Sequence, residues 1–138
     1  MTAPSLSAHE HEVAEEYGKA CALNPNRPAA GYYRLALSEA RRGDLEGAIA
    51  NFRKSLAVDP TDAGAEDSLG TVLCETAQTK EGFAHLRKAI AMASDFADAH
   101  NHLGWELAKM GQIDEAIVEL RRAIELRPAS VEYHVNLD

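Results

Sequence analysis

Histidine and cysteine are the side chains in this sequence with the widest chemical range, and their spacing limits what they can do. His9 and His11, and His100 and His102, are each two residues apart, and His134 follows His100 by 34. On a helix, residues two apart point in different directions, so a metal-binding pair calls for a spacing of three or four. No metal site is expected from them. Cys21 and Cys74 are too few and too far apart for a disulfide framework or a zinc ribbon, and both are read as buried thiols. No Ser-His-Asp or Cys-His arrangement, phosphate-cradling loop or paired carboxylate in a pocket context is visible. Neither catalysis nor a cofactor is expected.

Charge narrows the field further. The 138 residues carry 14 Lys and Arg against 22 Asp and Glu, a formal charge of -8. That balance opposes nucleic-acid binding, which needs cations to displace phosphate counterions, and opposes docking on anionic lipid. No apolar run approaches the roughly 20 residues of a membrane-spanning helix, and Met1 to Ala8 lacks the basic start and apolar middle of a signal peptide. A cytoplasmic protein is expected, with neither nucleic acid nor membrane as a partner.

What remains is a question of position, and a repeat answers it. Leu35, Leu69, Leu103 and Leu137 are spaced by 34, as are Ala36, Gly70 and Gly104, then Ala48, Gly82 and Ala116. Ile49, Phe83 and Ile117 keep the same step, as do Phe52, Leu86 and Leu120, then Leu56, Ile90 and Ile124. A fixed period of this length overrides local secondary-structure assignments. Within the last unit, Leu103, Leu107 and Met110 line one face, and Ile113, Ala116, Ile117, Leu120, Ile124 and Leu126 another, which is helical spacing.

Each unit therefore reads as two helices, predicted near 29–42, 45–58, 63–76, 80–93, 97–110 and 113–126. Gly43 and Gly111 fall between the paired helices, where a left-handed backbone closes the first, and Pro60 and Pro128 follow the second. Asp62 and Ser130 stand where an N-cap belongs. Arg53 and Lys54, Lys88, and Arg121 and Arg122 sit toward the ends of the second helices, the sign that exposed carbonyls favour. Small residues on facing helices, Ala36 with Ala48, Gly70 with Gly82 and Gly104 with Ala116, let two backbones approach closely. A further small column, Ser55, Ala89 and Ala123, suits the meeting of each second helix with the next unit.

Leu103-Gly104, Gly111, Ala116, Leu120, Ala123 and Pro128 together resemble the tetratricopeptide-repeat signature. The match covers repeats at 29–62, 63–96 and 97–130, and the middle one departs most: Ala77 replaces the inter-helix glycine, Gly82 the small alanine and Ser94 the terminal proline. That repeat is expected to fray first, since glycine inside a helix costs about 1 kcal/mol relative to alanine. Residues 1–28 are read as an N-terminal segment holding a lone second helix, through Val13, Tyr17, Ala20, Leu23 and Pro25. Residues 131–138 are read as the start of a truncated or capping helix. In this family the places of His100 and His134 usually hold a large packing side chain, so packing between helices is their expected role.

The resemblance implies an all-α fold, a right-handed superhelical stack of antiparallel helix hairpins whose first helices line a concave groove. It further implies a scaffold that binds a peptide or helix of a partner protein and performs no chemistry. The groove residues implied are Tyr33, Arg34, Leu37 and Arg41, then Asp67, Ser68, Thr71 and Glu75, then Asp98, Asn101, His102, Trp105 and Lys109. Two placements fit Trp105: an aromatic anchor of the kind found at binding hot spots, or core packing on a neighbouring helix. Asp67, Glu75, Asp98 and Glu132 cluster toward the middle and end of the groove and would steer in a basic or mixed basic and apolar ligand, or serve only to keep the surface soluble. Members that grip acidic chaperone tails clamp carboxylates with Lys, Asn and Arg, whereas Tyr33, Leu37, Ser68, Asp98 and His102 occupy those places here. Chaperone-tail binding is not expected.

Two other readings remain. Val13 and Tyr17 at one end, and Val135 and Leu137 at the other, belong to half-units whose apolar faces would favour self-association or exchange between chains, giving a homo-oligomer. The other reading makes the chain one fragment of a longer protein that includes an enzymatic part.

Overall fold

The periodic pattern demands paired helices, and the computed structural model, which describes residues 28–127, consists of them. The helices are α1 Pro28–Arg41, α2 Leu45–Val58, α3 Ala63–Glu75, α4 Thr79–Met92, α5 Ala97–Lys109 and α6 Ile113–Leu126. Each boundary falls within one residue of its predicted position, and no strand occurs among the described residues. The lone N-terminal helix, the Ser130 cap, His134, Glu132, the segment 131–138 and the apolar residues Val13, Tyr17, Val135 and Leu137 lie outside the described residues.

One turn design closes all three hairpins. Gly43, Ala77 and Gly111, spaced by 34, have φ of 84°, 62° and 81°. The next residue then donates its N–H back across the turn, Asp44 to Glu39 O at 2.9 Å, Gln78 to Leu73 O at 2.9 Å and Gln112 to Leu107 O at 3.0 Å. This is the Schellman pattern, which satisfies carbonyls that the helix end leaves open. The middle hairpin makes it without glycine, so Ala77 holds a left-handed conformation that costs an L-residue about 1–2 kcal/mol.

Capping follows the sequence in part. Asp62 accepts from Ala65 N at 3.2 Å, as expected, and Asp44 accepts from Gly47 N at 3.1 Å. α4, α5 and α6 begin without a side-chain cap bond. The expected cations at the ends of the second helices are misplaced: the last turns of α2, α4 and α6 hold none. The dipole acts only within the last turn, and these side chains have other neighbours. Lys54 Nζ lies 5.9 Å from the centroid of the Tyr32 ring, and Lys88 Nζ lies 3.2 Å from Glu66 Oε1.

The chain divides into two compact units, one ending at Pro60 and one beginning at Thr61. The first holds α1 and α2, packed through Leu35, Ala36, Ala48, Ile49 and Phe52. Glu39 is fully buried there and accepts from Asn51 Nδ2, which also donates to Gly47 O at 3.2 Å. The second holds the α3–α4 and α5–α6 hairpins, with α5 packed on both α4 and α3. Leu86, Leu103, Leu107 and Ala116 form one buried cluster, with Cys74, Phe83, Ile90 and Ala108 packed against it.

The small residues do the mechanical work expected of them. A Cβ on Gly104 would meet Leu120 Cγ at 2.7 Å and Ala116 O at 3.1 Å, so bulk there would separate α5 from α6. The column of Ser55, Ala89 and Ala123 is fully buried. Where the sequence reading set this column against the next unit, the structure shows Ser55 donating to Ala29 O at 2.8 Å and Ala123 clustered with Ala97, both across their own hairpin. Met110 and Ile113, placed by their spacing on apolar faces, are 56% and 52% exposed, because they flank the turn where the two helices diverge.

Candidate functional site

The first helix of each hairpin carries the residues singled out for binding, and the structure sorts them. In the first unit, Arg34 and Arg41 are exposed, whereas Leu37 and Tyr33 are half-buried. Tyr33 sets its ring against that of Phe52 on α2, centroids 5.7 Å apart at 63°, so much of it serves the hairpin.

In the second unit, α3 and α5 bring candidates of two repeats together. His102 Nδ1 lies 2.8 Å from Asp67 Oδ1, joining residues 35 positions apart. Asp67 is only 5% exposed, so the carboxylate read as a groove charge is also a strut between helices. Thr71 turns its hydroxyl back to Asp67 O at 3.0 Å, a bond within the helix. Asn101 is buried, Ser68 half-buried and Glu75 exposed at the end of α3. Asp98 sits at the start of α5, where Arg127 Nη1 reaches its Oδ1 at 3.2 Å.

Trp105 is 44% exposed, on the same helix as His102 and one turn before Lys109. Lys109 Nζ stands 5.9 Å from the indole centroid and 3.1 Å from Glu106 Oε1. With Ala108, these two side chains line a shallow hollow of about 240 Å³. An exposed indole with an ammonium held over its ring suits an apolar or aromatic group of a ligand. Of the two placements for Trp105, this one leaves the ring accessible.

Cys74, on α3, is half-buried, and its thiol is pushed up to about 11. Burial is the main cause, with Glu106 and Glu75 adding to it and Lys109 opposing. Read from the sequence as buried, Cys74 is half-buried, and the raised value leaves it little thiolate at neutral pH. Among the described residues no cluster of His, Cys, Asp and Glu is arranged to hold a metal ion, and no helix is long and apolar enough to cross a membrane.

Sequence reasoning passed over a set of polar residues between paired helices. Glu66 Oε2 lies 2.5 Å from His85 Nδ1, and His100 Nδ1 lies 2.6 Å from Glu119 Oε2. His100 was expected to pack between helices, and it does, with its Nε2 at 2.9 Å from Ser94 O as well. The signal for the rest was present in the period: Glu66 and His100 are 34 apart, and so are His85 and Glu119.

The geometry above is a class of its own: antiparallel hairpins with a 34-residue step, small residues at their crossings and a left-handed residue at each turn. Residues 29–62 and 97–130 each match the family Tetratricopeptide repeat. The chain belongs to the tetratricopeptide-repeat proteins, a class built for interaction between proteins.

Known proteins agree on the fold. The structure of MamA superimposes with a TM-score of 0.75 at 22% identity, over 97% of this chain and 82% of that one. The first tetratricopeptide domain of Spaghetti (RPAP3), bound to the HSP90 peptide SRMEEVD, gives a TM-score of 0.75 at 17% identity, over 79% of this chain and 86% of that one. An FK506-binding protein-like protein of Mus musculus is 36% identical over 79 residues, 57% of this chain. The chain covers only 22% of that relative's length.

Proposed function

We propose that the chain is a protein-interaction adaptor whose second unit receives a segment of a partner protein along α3 and α5. The observation that carries this reading is the half-exposed Trp105, set beside the Asp67–His102 contact that fixes α3 against α5. Large aromatics held on rigid elements are the usual anchors of binding surfaces. In the second unit the site comprises Asp67, Ser68, Thr71, Glu75, Asp98, Asn101, His102, Trp105 and Lys109. Tyr33, Arg34, Leu37 and Arg41 form a further contact face on α1.

Charge selects the ligand. Glu75 is exposed, Lys109, 5.9 Å from the indole centroid, is engaged by Glu106, and Asp98 is paired with Arg127. A segment with apolar side chains and Lys or Arg is steered toward this face, and an acidic segment is repelled. The peptide SRMEEVD, bound by the RPAP3 domain, carries two glutamates and an aspartate and is the wrong sign for it.

Isothermal titration of the whole chain against a Lys- and Leu-rich helical peptide, and against SRMEEVD, tests the reading. The basic peptide binds, Trp105→Ala weakens it about tenfold or more, and SRMEEVD does not bind. Equal affinities of wild type and Trp105→Ala would remove the indole from the site. Charge reversal is best made at Glu75, because Asp67 is committed to His102 and Asp98 to Arg127.

A further inference from the structure

Glu66 pairs with His85 between α3 and α4, and His100 pairs with Glu119 between α5 and α6. The positions correspond one to one under the 34-residue step, yet the residue types are exchanged: carboxylate on the first helix of one hairpin, imidazole on the first helix of the next. Glu66 is 3% exposed and His100 8% at the side chain, with His85 and Glu119 at 24% and 20%. We propose that this inversion is a pairing code that commits α3 to α4 and α5 to α6 as the chain folds.

A code is needed because the apolar columns do not discriminate. Leu69 and Leu103 hold the same position on the first helices, and Leu86 and Leu120 on the second. The small residues discriminate in one direction only: Gly82 adds no bulk beside Gly104, whereas the Cβ of Ala116 in the place of Gly82 would meet Gly70 O at 2.7 Å. A slip by one repeat, joining α3 to α6 or α5 to α4 in the hairpin register, would offer the same leucine columns, and only the first would be opposed by the small residues. Neither would preserve the polar pairs. Glu66 would face Glu119, setting two carboxylates side by side, and His100 would face His85 with no carboxylate for either ring to pair with. Buried polar groups without a partner, and like charges in contact, are among the costliest arrangements inside a protein. Lys88 beside Glu66 at 3.2 Å, Glu81 near His85 Nε2 at 3.8 Å and Ser94 O on His100 at 2.9 Å add local support to the native pairs.

Rewriting one hairpin erases the code. Glu66→His/His85→Glu gives both hairpins the same order, as does His100→Glu/Glu119→His, while all four substitutions together invert both pairs and restore the code. Each full-length chain is unfolded in urea for a pulse shorter than proline isomerisation, which takes tens of seconds, and refolded with the fluorescence of Trp105, the one tryptophan, as reporter. Wild type and the fourfold variant refold in one phase. Each singly rewritten chain gains a second phase about tenfold slower, the scale set by losing one discriminating charged hydrogen bond. The fourfold variant carries every local cost of the two rewritten chains, so a slow phase that persists in it, or phases identical in all four chains, would overturn the proposal. If the rewritten chains fail to fold while the fourfold variant folds, the code is supported; if all three fail alike, it is refuted.

Discussion

The carbonyl oxygen of Gly70 lies 2.7 Å from the point a Cβ on Gly82 would occupy, so α3 and α4 touch backbone to backbone. The same Cβ would meet Cys74 Sγ at 2.5 Å and Cys74 N at 3.0 Å. Helix propensity favours Gly82→Ala by about 1 kcal/mol. The contact reverses the sign, because backbone cannot step aside as a side-chain tip can. Gly82→Ala is expected to destabilise the protein by about 1–3 kcal/mol, measured as a lowered urea midpoint with unchanged slope.

Ala77 gives the opposite result. It is exposed and left-handed, with φ of 62°, in a turn whose counterparts Gly43 and Gly111 carry glycine. Ala77→Gly removes the steric penalty and gives back part of it as unfolded-chain entropy. A net gain of about 0.5–1 kcal/mol is expected. A midpoint at or below that of wild type would contradict the left-handed assignment.

The Asp67–His102 contact is open to a double-mutant cycle. Removing His102 alone leaves a carboxylate that is 7% exposed at its side chain without that partner, at a cost of about 1–3 kcal/mol. Removing both costs less than the sum of the single losses, with a coupling of about 1 kcal/mol. Additive losses in Asp67→Ala, His102→Ala and the double variant would mean that the two side chains do not communicate.

Cys74 supplies a chemical prediction. Its thiol titrates near 11 in place of 9.0, so at neutral pH it holds roughly a hundredfold less thiolate than an ordinary cysteine. Alkylation of Cys74 in a Cys21→Ser background is expected to be correspondingly slow in the folded protein and fast in urea. The raised value means that folding favours the neutral thiol. Its contribution to stability is complete below pH 9.0 and disappears as pH rises toward about 11. The stability difference between this background and its Cys74→Ala derivative shrinks over that interval; a constant difference would show that the thiol titrates alike in both states.

The helices were legible because apolar side chains at a helical spacing, repeated 34 residues on, admit few other arrangements. Gly70 and Gly104 announced close crossings for the same reason. The polar contacts were harder to read. Asp67 as a lone acid reads as surface charge, and only the approach of α5 to α3 reveals His102 as its neighbour. Glu66 and His85 lie 19 apart with no local motif, and a sequence scan tuned to leucines does not weigh them. The dipole argument for Arg53, Lys54 and Lys88 failed because being near a helix end is not enough: the field is confined to a single turn, while Tyr32 and Glu66 lay within reach.

The hairpin turns at Gly43, Ala77 and Gly111 bring together residues that are close neighbours along the polypeptide. Topology of so local a kind places the protein among rapid folders, in the microsecond to millisecond range. A ribosome adds about 5–20 residues each second, so every hairpin has time to close before its successor has been translated. Hairpins thus form in order during synthesis, whereas a chain released from urea presents all its helices at once and must choose among them.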